Sequence, residues 1–190
     1  MPEARLEDSG SGVAPATDGW FVVNVHDAEW WTSEPTGADS KKPSGAECGF
    51  ESPANEFPQL GIRIHVLTPG EPNGLYHSES KQEDFLVLAG ECTLLVEGEE
   101  RHLRRWDFVH CPPGTDHIFI GAGDEPCVIF MVGARGEGMT IRYPVSEVAA
   151  RHDASVPKET NDPREAYVGR FEPSRRERPS SWDRLPWATP

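Results

Sequence analysis

Short apolar runs separated by glycine-containing turns constrain the fold of this chain more than any other feature of its sequence. After residue 61, Ile62, Ile64 and Val66 alternate with Arg63 and His65, which is the two-residue period of a half-buried β-strand. Three further apolar runs follow at short intervals, over residues 85–88, 93–96 and 127–132. Short strands at regular spacing predict an all-β sandwich or barrel.

The length and composition agree with one β-rich domain. A chain of 190 residues with 18 Gly and 18 Pro favours many short strands joined by turns, because Gly and Pro interrupt helices. We predict a disordered segment over 1–19 and a barrel over 20–143, with a first strand at 20–25 and the best-defined core at 58–135. Residues 144–190 are expected to form C-terminal helices and an extended tail.

The segments outside the core give weaker signals. The stretch from Glu34 to Pro58 loses periodicity, which predicts a long N-terminal loop that serves as a lid or a subunit contact. Ser146, and Asp162 followed by proline, are typical starts of short peripheral helices. The tail carries two tryptophans that need an apolar surface, either on this chain or on a neighbouring subunit.

The charge and the cysteines restrict the partners and the location. A formal net charge of −14 repels nucleic acid and anionic membranes, so neither is an expected partner. The N-terminus lacks a signal-peptide pattern and no stretch is apolar enough to span a bilayer, which predicts a cytoplasmic protein. Four widely spaced cysteines without a CxxC pair are expected to be buried reduced thiols.

Two histidines and two carboxylates occur at a spacing that suits a metal site. His77 and Glu79 are two residues apart and face the same side of a strand, while Glu83 re-enters after a short turn. His117 follows the turn Pro112-Pro113-Gly114 on a separate strand. Such a cluster is costly to bury without a compensating charge, and a divalent metal supplies that charge.

The donor atoms narrow the choice of metal. Imidazole nitrogens with carboxylate oxygens suit one divalent transition metal, Fe, Mn, Zn or Ni, and the ligand types do not choose among them. The alternative for His77, Glu83 and His117 is a metal-free polar network. For Glu79, contact with solvent, an ion pair with Lys81 and a position next to the ligands all remain open.

The same residues resemble the first motif of the cupin family. That motif is Gly, five residues, His-x-His, three or four residues, Glu, six residues, Gly. This chain has Gly70, His77-x-Glu79, three residues, Glu83, six residues and Gly90. Glu79 stands where the second histidine is usual, and Gly70 lies one residue too far out.

The second cupin motif is matched with two departures. It is Gly, five residues, Pro-x-Gly, two residues, His, three residues, Asn. Here the corresponding positions are Trp106, Pro112-x-Gly114, two residues, His117, three residues and Gly121. Trp106 therefore replaces a glycine and Gly121 replaces the asparagine. The combined spacing of both motifs is far more specific than either one.

The resemblance implies a cupin jelly-roll, also called a double-stranded β-helix, around a small-molecule cavity. It implies metal ligation by His77, Glu79, Glu83 and His117, and pairing of barrels into a homodimer. The expected wall residues are Phe85, Val87, Cys92 and Phe119, whereas His65, His102 and His110 match no ligand position.

The function is predicted only by class. The leading hypothesis is a metal-dependent enzyme acting on a small organic metabolite, with oxygenase and isomerase or lyase chemistry both open. A carboxylate such as Glu79 that leaves the metal is suited to moving a proton. The alternatives are a non-catalytic small-molecule-binding module and a structural barrel with a vestigial site.

Overall fold

The computed structural model describes residues 1–33, 45–170 and 174–188. Strands dominate the described residues and confirm the all-β prediction. They are β1 Leu6–Asp8, β2 Val13–Pro15, β3 Trp30–Thr32, β4 Ala46–Gly49, β5 Leu60–Leu67, β6 Ser78–Glu79, β7 Glu83–Ala89, β8 Glu91–Val96, β9 Glu99–Arg104, β10 Phe108–Cys111, β11 His117–Ala122, β12 Cys127–Ala134 and β13 Ile141–Arg142.

Two antiparallel layers form the barrel. One is a six-stranded sheet in the order β10-β7-β12-β5-β4-β3. Facing it are the three-stranded sheet β11-β8-β9 and the ladder β13-β6, which a bridge between His77 and His117 connects. Non-consecutive strands lie side by side in both layers, as expected for the predicted jelly-roll.

Strand β5 turns its polar face into the barrel. Leu67 belongs to the barrel core with Phe85, Val87 and Ile129, so Arg63 and His65, on the same face as Leu67, also point inward. The apolar residues Ile64 and Val66 point outward instead. The alternation predicted the strand correctly, but it did not show which face lines the lumen.

The outward face of β5 is buried by segments from both ends of the chain. Ile64 and Val66 pack in a cluster around Trp30, which has no exposed surface. Trp182 and Trp187 of the tail lie 5.5 and 5.4 Å from the Trp30 ring, centroid to centroid. The tail tryptophans therefore find their apolar surface within the same chain.

The first nineteen residues differ from the predicted disordered segment. Strands β1 and β2 pair as a hairpin, and Val13 donates a hydrogen bond to the carbonyl of Asp27. These backbone bonds to neighbouring segments order a stretch whose side chains carry little apolar surface. The strand predicted at 20–25 is absent, because these residues contribute side chains to the Trp30 cluster rather than a ladder.

The remaining peripheral predictions can be compared directly. Of the long loop from Glu34 to Pro58, residues 34–44 lie outside the described residues, and the rest includes β4. The two short helices are confirmed as α1 Glu147–Ala150 and α2 Pro163–Ala166, capped by Ser146 and Asp162. The tail contains a short 3-10 helix over Trp182–Arg184.

Two further findings concern the chain as described. No helix in the described ranges is long and apolar enough to cross a bilayer. All four cysteines are free thiols and all four are buried, as predicted.

The turn before β10 explains why the cupin motif has a glycine there. Trp106 occupies that position with a φ of 78°, a left-handed conformation that costs an L-residue free energy. Its indole is 65% exposed, so packing compensates little of this cost. Gly121 is required for a different reason, because a Cβ there would lie 2.0 Å from the carbonyl oxygen of Thr68.

We expect Trp106→Gly to be more stable than Trp106→Ala by about 1 kcal/mol in chemical denaturation. Both variants lose the indole, and only glycine adopts the positive φ without strain. Equal stability of the two variants, or a more stable alanine variant, would show that the turn does not require this conformation.

Candidate metal centre

His77 and His117 are cross-strand neighbours. The amide of His77 donates to the carbonyl of His117 at 3.1 Å, and the amide of His117 donates to the carbonyl of His77 at 2.8 Å. This two-bond exchange sets the rings on the same face, with centroids 5.0 Å apart. Residues separated by forty positions in sequence are thus fixed side by side by the backbone.

Each imidazole is held by one ring nitrogen and presents the other to the cavity. His77 Nδ1 lies 2.7 Å from the carbonyl oxygen of Leu75, and His117 Nδ1 lies 3.0 Å from that of Thr115. A carbonyl accepts a hydrogen bond, so Nδ1 carries the proton in both rings. Both Nε2 atoms therefore keep a lone pair, which is the state that ligates a metal.

Glu83 completes a three-residue group. It begins β7, and its Oε2 lies 3.6 Å from His117 Nε2. The ligand atoms of His77, Glu83 and His117 all lie within 4.8 Å of one another. Within the described residues no N–H or O–H group donates a hydrogen bond to the Glu83 carboxylate. Three of the four predicted ligands are therefore brought together.

Glu79 lies in the same cavity but outside that group. It ends β6, where it pairs with Ile141, and its carbonyl accepts a hydrogen bond from the amide of Gly114 at 2.7 Å. These bonds tie the first motif to the turn that precedes His117. The backbone of Glu79 is fixed, whereas its carboxylate has no ion pair among the described residues.

An ion pair supports the same region from outside. Arg142 follows Ile141 in β13, and one of its Nη atoms donates to both carboxylate oxygens of Asp116 at 2.8 Å. Asp116 precedes His117, so this contact links β13 to the start of β11.

Burial makes the cluster unfavourable to charges that lack a counterion. Burial raises the pKa of Glu83 to about 8, with a further contribution from the negative charge of Glu79. Burial also raises the pKa of Glu79. The pKa of His77 is lowered to about 4, first by burial and then by the charge of His117, whose own pKa burial also lowers.

These features fit a divalent cation. A cation reverses the cost of burying Glu83, and the two imidazoles are already neutral and oriented. Two nitrogens and one or two carboxylate oxygens suit Fe(II), Mn(II), Zn(II) or Ni(II), and a three-residue set leaves positions open for a ligand. The donor set does not select one of these metals.

The cavity above this group has a volume of about 400 Å³. Phe85 and Phe119 line it, as predicted, while Val87 and Cys92 lie in the adjoining core. Sequence reasoning missed Arg63, which also lines the cavity. The remaining missed residues with polar side chains are His65, Asn73, Arg135 and Tyr167.

The position of His65 could have been inferred from the sequence. His65 matches no ligand position, yet it shares a strand face with Leu67, two residues later. Because Arg63 and His65 lie on the same strand face as Leu67, a position in the lumen is compatible with the sequence. His102 and His110, which also match no ligand position, are about half exposed or more and lie outside the cavity.

Comparison with known proteins supports this architecture. A family model for the cupin domain matches residues 63–133. This range contains all four candidate ligands and the turn that precedes His117. A comparison with curated proteins finds no match.

Solved structures give the same fold. A cupin-superfamily sugar phosphate isomerase from Silicibacter pomeroyi aligns with 63% of this chain and 79% of its own, at 21% identity and a TM-score of 0.51. The polyketide cyclase RemF from Streptomyces resistomycificus aligns with 60% of this chain and 79% of its own, at 13% identity and a TM-score of 0.50.

A protein from Acidithiobacillus ferrooxidans has 27% identity over 44% of this chain, with a TM-score of 0.42. The chain spans 55% of the length of that protein. At these levels of identity the likeness concerns the barrel rather than a reaction.

Proposed function

We propose that this chain, whose residues 63–133 match the cupin domain, is a metal-dependent enzyme that isomerises or cleaves a small organic metabolite by proton transfer. The observation that carries the proposal is the different position of two carboxylates in one cavity. Glu83 lies with His77 and His117, whereas Glu79 lines the same cavity outside that group.

His77, Glu83 and His117 are the residues that would hold the ion. A divalent ion held by them would act as a Lewis acid on a carbonyl or hydroxyl oxygen of the ligand. Hydrogen bonds from both Nδ1 atoms fix the rings before any ion arrives, which lowers the ordering cost of binding.

Glu79 is suited to accept and return a proton. Its backbone is fixed by bonds to Ile141 and Gly114, while its carboxylate has no charged partner among the described residues. A carboxylate positioned beside a substrate, and not itself committed to the ion, has the chemistry of a general base. The two solved relatives named as an isomerase and a cyclase are compatible with such chemistry on this fold.

We expect natively purified protein to carry about one divalent transition metal per chain, measured by elemental analysis. His77→Ala/His117→Ala should lose it, because the change removes both nitrogen donors. His102→Ala, which changes an exposed histidine on β9, is the matched control and should keep the full content. Absence of metal in the wild type, even after reconstitution, would overturn the proposed metal centre.

We expect Glu79→Gln to keep the metal and to lose proton-transfer activity by roughly a factor of 10² to 10⁴. The measurement is NMR of deuterium exchange next to the carbonyl group in a panel of small carbonyl compounds, in D2O. Glu99→Gln, at an exposed position, is the control and should exchange as wild type does.

Other outcomes of that experiment point elsewhere. If Glu79→Gln loses the metal, Glu79 is a fourth ligand, as the sequence predicted. Metal-dependent oxygen uptake without exchange would favour an oxygenase. Ligand binding with neither reaction would favour the non-catalytic binding module. A vestigial barrel requires that removal of both histidines leave stability and activity unchanged.

We also propose a homodimer in a reducing, cytoplasmic location. The location rests on four buried thiols. The dimer rests on strand β10, which lies at an edge of the large sheet and leaves Phe108 65% exposed. Light scattering should give twice the chain mass for wild type and a lower mass for Phe108→Lys. A wild-type monomer would overturn the dimer.

A further inference from the structure

The cavity has a second polar group on the wall formed by strands β4 and β5. Arg63 Nη1 donates to Glu47 Oε2 at 2.8 Å, and His65 Nε2 lies 3.5 Å from the same oxygen. Arg63 and His65 also line the cavity that contains Glu83 and His117. One cavity therefore contains a candidate metal group and, separately, a cationic side chain.

Arg63 has N–H donors that no described residue accepts from, whereas the other arginine of the cavity, Arg135, is bound more fully. Arg135 donates from two nitrogens to the two oxygens of Glu51 and also to the carbonyl of Phe57, so its guanidinium is committed to the protein. Arg63 makes one hydrogen bond among the described residues, to Glu47. A guanidinium carries five N–H groups, so most of those of Arg63 remain for a ligand.

The donors of this second group suit a carboxylate, although its formal charges sum to zero. Arg63 is positive, Glu47 is negative, and burial lowers the pKa of His65, so the histidine is neutral. Glu47 offsets the formal charge of the arginine, which disfavours a doubly charged phosphate relative to a carboxylate. The planar guanidinium also matches the two oxygens of a carboxylate.

The strand register sets the separation between the two groups. Arg63 pairs with Met131, which in turn pairs with Phe85, two residues after Glu83. Strands β5 and β7 are thus separated by β12 alone, or roughly 10 Å. Both side chains extend inward, so a ligand with a backbone of a few carbon atoms can reach from one group to the other. Met131 and Phe85 provide apolar surface between them.

We infer that the substrate is a small carboxylic acid bound at both ends, its carboxylate on Arg63 and an oxygen at its other end on the metal group. This inference rests on the proposed function and names its substrate class. Arg63 determines specificity, and Glu47 competes with the substrate for its guanidinium. Arg63 is 47% exposed, so an acid reaches it from solvent.

The test uses glutarate as the probe in isothermal titration calorimetry with manganese-reconstituted protein. Glutarate has a carboxylate at each end of a three-carbon chain. We expect Arg63→Gln to bind glutarate roughly tenfold more weakly than wild type does, or worse. Metal content and circular dichroism of Arg63→Gln should match wild type.

Glu47→Gln is the opposing variant. It keeps the size of the side chain and removes the charge that competes for Arg63, so glutarate should bind more tightly than to wild type. Weaker binding to this variant would place the anion elsewhere. Equal binding of glutarate to wild type and Arg63→Gln, or no binding at millimolar glutarate, would also overturn the inference.

Two further arms separate the alternatives. If 4-phosphonobutanoate, which has the same chain length, binds more tightly than glutarate through Arg63, the substrate class is a phosphate and not a carboxylate. If the protein takes up no metal but its weak glutarate affinity still depends on Arg63, the proposed metal function fails and the carboxylate site stands. If the metal content is full but Arg63→Gln has no effect on glutarate affinity, the carboxylate site fails and the proposed metal centre stands.

Discussion

The reciprocal backbone hydrogen bonds between His77 and His117 are the constraint on which the site depends. They join the ladder β13-β6 to the three-stranded sheet, so the same two bonds that close this layer also place the imidazoles together. Glu83 then arrives from the opposite layer, at the start of β7. The centre therefore requires both layers of the barrel, and any loss of their packing separates its donors.

The lumen of the barrel contains several charged side chains. Burial makes the charges of Glu79 and Glu83 costly, whereas Arg63, which lines the same cavity, is 47% exposed. Arg63 has its own counterion in Glu47, whereas Glu83 has no cationic partner among the residues that the structure describes. The protein balances the first pair electrically, whereas the raised pKa of Glu83 keeps the second group neutral through a proton, whose place a metal ion can take. This contrast distinguishes a substrate-facing arginine from a metal-facing carboxylate.

The apolar exterior of the large sheet explains the segments outside the barrel. Ile64 and Val66 would be exposed on an isolated barrel, and the Trp30 cluster covers them with residues from both ends of the chain. The termini therefore act as part of the fold. Residues 23–30 and the tail tryptophans are ordered by burying this face, whereas the first nineteen residues are ordered by backbone hydrogen bonds.

Two-residue periodicity, capping residues and motif spacing are local properties, so they predicted the all-β class, the short helices begun by Ser146 and Asp162, and three members of the candidate centre. The three-dimensional fold was needed to show which face of β5 lines the lumen, that the N-terminal segment is ordered, and that Glu79 lies apart from the other three. Each of these depends on what packs against a segment from far along the chain, and alternation has the same period whichever face is buried. Trp106 illustrates both sources of information. The motif identified its position, and the positive φ of its backbone explains why glycine is usual there.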